Sequence, residues 1–63
     1  MIKILESAIE YEKKSADLYR EGAAAAEDPE TRTLFEQLVR WEQDHERMLK
    51  DRLATLRMIR GQQ

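Results

Sequence analysis

The chain has 63 residues, 38% of them charged, a net charge of −2 and no cysteine. Disulfides, thiolate metal sites and thiol catalysis are excluded, and the mildly acidic balance argues against nucleic acid as the main partner. A domain of this size buries only about 60% of its unfolded surface, so a metal ion, a second chain or both must act as the staple.

The opening Met1-Ile2-Lys3-Ile4-Leu5-Glu6 lacks the long apolar run of a signal peptide or membrane span. The Gly61-Gln62-Gln63 tail does not resemble a sorting tag, and a cytoplasmic protein with no membrane partner is expected. The first predicted helix runs from Ile2 to about Ala26, in a stretch rich in good helix formers. Apolar residues recur every three or four positions through Ile2, Leu5, Ile9, Ala16, Tyr19 and Ala23, and Glu12 falls in the middle of this seam. Glu6, Glu10 and Glu21 lie off the stripe and read as solvent-facing. Gly22 is a soft spot at which the helix is expected to fray or bend.

Glu27-Asp28-Pro29-Glu30 is the main punctuation of the chain. Asp28 reads as an N-cap, Pro29 as the first helical residue, and Glu30 as an acid favoured by the helix dipole. The second helix is predicted from Pro29 to Ile59. Its seam passes through Phe35, Leu38, Leu49, Arg52 or Leu53, Leu56 and Ile59, and Glu42 and His45 interrupt it at adjacent steps. Trp41 reads as a core or interface residue, Tyr11 as a seam-edge residue, and Met48 and Met58 as core or interface filler. The arginines near the end read as a solvated face.

So short a connection forces an antiparallel hairpin, and residues 1–63 form a single all-α domain. Two helices cannot cover each other's apolar faces; two hairpins from two chains make a four-helix bundle. Residues equally far from the turn share a level in the hairpin. The midpoint of Glu12 and Glu42 is position 27 and that of Glu12 and His45 is 28.5, both at the Asp28 turn. The three polar seam residues therefore belong to one layer. A buried carboxylate must be protonated, paired or bound to a cation. One hairpin offers two carboxylates and an imidazole, too few to close a site; a two-fold dimer doubles the set. Oxygen and nitrogen donors without thiolate suit iron or manganese, with zinc a frequent substitute.

Three stretches carry a resemblance to the ferritin-like superfamily, in its rubrerythrin-type and encapsulated-ferritin-like single-hairpin branches. They are Ala8-Ile9-Glu10-Tyr11-Glu12 with Tyr19 seven residues on, then Asp28-Pro29-Glu30, then the run from Trp41 to Leu49 that contains Glu42-Gln43-Asp44-His45. The resemblance implies a ferritin-like four-helix bundle made by paired chains, a homodimer or a higher homo-oligomer. It implies two iron ions per subunit pair held by Glu12, Glu42 and His45, with Tyr19 hydrogen-bonded to a ligand carboxylate. It further implies ferroxidase-type oxidation of Fe(II) by dioxygen or peroxide. A rubrerythrin-like peroxide reductase is the alternative, less favoured because these 63 residues hold no electron-delivery module; a compartment shell or an electron donor would be further partners. A third reading needs no enzyme: an oligomerisation module in which the polar layer only sets register.

Overall fold

The computed structural model describes residues 1–61; Gln62 and Gln63, and with them most of the tail considered above, lie outside the described residues. Two helices account for nearly all of it, α1 over Ile2–Ala25 and α2 over Pro29–Gly61, with no strand among the described residues. They pack as one antiparallel hairpin about 54 Å long and 12–14 Å across. The helix α1 ends one residue earlier than its composition suggests, and α2 runs two residues further.

The start of α2 is fixed locally. The backbone N–H of Thr31 donates to the Asp28 carboxylate at 2.8 Å, and Pro29 occupies the position where a missing N–H costs nothing. That bond holds the Asp28 carboxyl below its ordinary range. Arg32 reaches back across the turn to donate to the Ala26 carbonyl at 3.1 Å, which ties the end of α1 to the beginning of α2.

Gly22 does not bend α1. The helix continues through it to Ala25, because the glycine serves packing: a Cβ there would lie 2.8 Å from the ring of Phe35. The missing side chain lets the Phe35 ring seat against α1 beside Tyr19, whose ring centre lies 6.3 Å away. At the other end Leu5, Ile9 and Leu53 form the buried cluster, flanked by Ile2, Leu49 and Leu56, and Ala16 is buried nearer the turn. Of the two candidates for one seam position, Leu53 is buried and Arg52 is exposed. Arg57 and Glu6 bridge the helices at 3.1 Å.

This core is thin. Ile4, Tyr11 and Leu18 on α1 stand exposed, as do Leu34, Trp41 and Met48 on α2. Ile59 and Met58, expected to pack, are also exposed, because α1 offers nothing at their level to cover them. The hairpin thus leaves much of its large apolar surface in water, which a lone chain of this size tolerates poorly.

Candidate metal centre

Glu12 comes from the middle of α1, and Glu42 and His45 from one turn of α2. Residues three apart on a helix share a face, so Glu42 and His45 point the same way, and the register of the hairpin brings Glu12 opposite them. His45 Nδ1 lies 3.6 Å from Glu12 Oε2 and 3.6 Å from Glu42 Oε1. One donor atom from each residue falls within 4.8 Å of the other two. Distances near 3.6 Å are too long for good hydrogen bonds, but they suit three donors spaced around a common point.

The electrostatics are unfavourable without a cation. The Glu12 side chain is 23% exposed and that of Glu42 17%, so both carboxylates have lost most of their water. Glu12 Oε2 is buried and has no hydrogen-bond partner. The Glu42 carboxyl is pushed above its ordinary range, chiefly because Glu12 can accept a hydrogen bond from its protonated form. Lost hydration and the like charge of Glu12 push the same way, and His45 offsets them only in part. Two crowded carboxylates and one orphaned oxygen fit a divalent cation: it would supply the positive charge that His45 gives only in part and a partner for the orphaned oxygen. Glu12, Glu42 and His45 are the residues able to hold it.

His45 differs from the two acids in being 55% exposed. It stands at the edge of the seam, on the side that carries Trp41 and Met48, rather than inside the hairpin. Tyr19 is half-buried, and its described contact is the ring of Phe35. The other side of the layer holds a residue that the seam pattern did not single out. Glu46 is half-buried, shares a groove of about 210 Å³ with Glu42, Lys13 and Arg20, and is held by Lys50 at 3.3 Å. Its position four residues after Glu42 was the available signal, since that spacing also keeps one face.

No described helix is long and apolar enough to cross a membrane. The sequence is 36% identical over 58 residues to an uncharacterised protein of Archaeoglobus fulgidus, an alignment covering 92% of this chain and 90% of that one. No solved structure matches it. Residues 1–59 match the family described as Ferritin-like domain. With an all-helical hairpin and a carboxylate–imidazole cluster at mid-height, the chain belongs to the ferritin-like domain family.

Proposed function

We propose that this protein is a di-iron carboxylate protein of ferroxidase type, oxidising Fe(II) with dioxygen or peroxide at a site shared by two copies of the chain. The observation that carries the reading is the placement of Glu12, Glu42 and His45 with one donor atom each inside 4.8 Å, around a carboxylate oxygen that has no partner. Two such half-sites face to face give four carboxylates and two imidazoles. That is a Glu from each of two helices and a Glu-x-x-His from each of the other two.

Each residue has a defined task. The Glu12 and Glu42 carboxylates bind as anions, and at a pH low enough for Glu42 to be protonated, uptake of the cation releases that proton. His45 binds as a neutral imidazole through one ring nitrogen. Its exposed position lets it lean toward a neighbouring chain as well as toward its own acids. Tyr19, two helical turns nearer the inter-helix turn on α1, is assigned to hydrogen-bond a ligand carboxylate and hold its rotamer. Iron bound there supplies the electrons that reduce the oxidant. Manganese and zinc would compete for the same donors.

The test is anaerobic Fe(II) titration followed by admission of oxygen. Absorption of an oxidised di-iron centre should saturate at two irons per subunit pair; a flat spectrum at that stoichiometry would sink the assignment. The exposed apolar surface favours a second reading, a helical oligomerisation module whose polar layer fixes register without turnover. In that case Fe(II) would bind weakly and oxygen would change nothing, while the oligomer persisted.

A further inference from the structure

Glu42 borders two spaces. One is the gap it shares with Glu12 and His45; the other is the groove of about 210 Å³ on the far side of the layer, where Lys13 of α1 faces Glu42 and Glu46 of α2. The acids beside that groove are each tied to a base of their own helix. Glu10 meets Lys13 at 3.5 Å, Asp17 meets Arg20 at 2.9 Å, and Glu46 meets Lys50 at 3.3 Å. Among the described residues, Glu12 and Glu42 have only the His45 ring, at 3.6 Å.

The three pairs differ in how firmly they hold. Arg20 donates to Asp17 at a short distance through a planar fork that keeps its direction. Lys13 reaches Glu10 only at the long limit of a hydrogen bond, between two exposed side chains, and a pair of that kind contributes little. Its ammonium sits on a flexible four-carbon stem and can turn elsewhere.

The register of the hairpin gives it somewhere to turn. Glu12 is level with His45, so the next residue, Lys13, is level with Asp44, two residues from Glu42 and two from Glu46. The Glu42 and Glu46 side chains are 17% and 24% exposed, against 64% for Glu10. An ammonium placed between them is screened less by water than one beside Glu10. It would also relieve part of the repulsion between Glu42 and Glu12.

We propose that Lys13 is an internal counter-cation of this centre: its ammonium exchanges between Glu10 and the Glu42–Glu46 pair, and a divalent cation must displace it to take Glu42. The proposal rests on the metal reading and adds to it a residue that sets the affinity of the site without being a ligand. With Lys13 drawn back to Glu10, as described here, the Glu42 carboxylate is open to the cation.

The test has a metal arm and a metal-free arm. Anaerobic calorimetry with Co(II) compares the unaltered chain with Lys13→Gln and Lys14→Gln. Lys14 is an exposed neighbour that does not line the groove, so its loss controls for net charge. Lys13→Gln is expected to bind Co(II) about 5- to 10-fold more tightly, and Lys14→Gln by less than about twofold. The metal-free arm is a double-mutant cycle over Lys13→Gln and Glu42→Gln, read by urea unfolding. Loss of Lys13 should lower the folding constant about threefold more when Glu42 is present than when it is glutamine. The Glu10 contact is common to both backgrounds and cancels, and Lys14→Gln should show no such coupling. Equal tightening by the two lysine variants, or no coupling between Lys13 and Glu42, overturns the proposal. Coupling without any Co(II) uptake by the unaltered chain defeats the metal reading and leaves the Lys13–Glu42 exchange standing.

Discussion

His45 Nδ1 stands 3.6 Å from Glu12 Oε2 across the seam between the two helices, and that oxygen has no hydrogen-bond partner. A structural ion pair would close this gap and shield both groups. Here the acid is largely buried and the imidazole is half in water, which leaves a gap shaped for a third party.

Replacing His45 with leucine should separate the metal role from the structural one. Fe(II) or Mn(II) affinity, read by anaerobic calorimetry, should fall by about 100-fold or more, since partners that only orient a ligand are already worth about 10–100-fold. The metal-free protein should be as stable as before or more so, because the new side chain is apolar and borders an apolar face. Unchanged affinity would remove His45 from the ligand set.

The Glu42 carboxyl titrates above its ordinary value of 4.5 in the folded chain. Its contribution to stability is therefore complete in acid below that value, and it is lost as pH rises through the folded value. At neutral pH without metal it is a strained anion beside Glu12. Glu42→Gln should raise the urea midpoint of the metal-free protein at pH 7, lose that advantage in acid, and abolish iron uptake. A lower midpoint at pH 7 would contradict the electrostatic account.

Asp28 has the opposite sign. The Thr31 N–H holds its carboxyl below the ordinary value of 3.8, so the cap stabilises α2 fully above that value and fails as pH drops through the folded one. Asp28→Ala should lower the melting temperature at pH 6 and converge with the unaltered protein at strongly acidic pH. Asp28→Asn should keep most of the cap and flatten the pH dependence.

Gly22→Ala pits helix propensity against packing. Alanine gains roughly 0.5–1 kcal/mol in a helix interior, but its Cβ would sit 2.8 Å from the Phe35 ring. Overpacking of this kind costs about 1–3 kcal/mol, so a net loss of about 1 kcal/mol is expected by denaturant titration. Combining it with Phe35→Leu should recover part of the loss; a stabilised single variant would show that the ring moves aside freely.

Trp41 is a large aromatic side chain, 51% exposed, on the apolar surface that the hairpin leaves uncovered and that the shared-site reading needs a second copy to bury. Trp41→Ala should weaken association by about 2 kcal/mol, roughly thirtyfold in dimer Kd by sedimentation, with the helical circular dichroism of the chain retained at high concentration. No change in association would move the interface elsewhere.

The hairpin itself was legible because its signals are local. Asp28-Pro29 announces a helix start, and the spacing from Ile2 to Ala23 defines a face. The meeting of Glu12 with Glu42 and His45 was legible for a geometric reason: two straight rods joined by a short turn have one register, and residue numbers give it. Three things were not legible. Gly22 reads as a flaw until the Phe35 ring is seen against it, a contact thirteen residues away in sequence. Leu53 rather than Arg52 faces α1, since 3.6 residues per turn drifts against a strict seven-residue count over so long a helix. The exposure of His45 also escaped the pattern, which marks a residue as on the stripe without saying how far the stripe wraps round the helix.

Glu12, Glu42 and His45 all lie on one chain, which has a consequence for mixtures. Under the shared-site reading each molecule donates an identical half, so one damaged copy spoils the site of its healthy partner. If half the molecules in a population carried a faulty His45 and pairing were random, only about a quarter of the pairs would hold two sound halves. A lesion at this position would thus act beyond its own chain, and titrating faulty copies into sound ones should reduce intact sites as the square of the sound fraction.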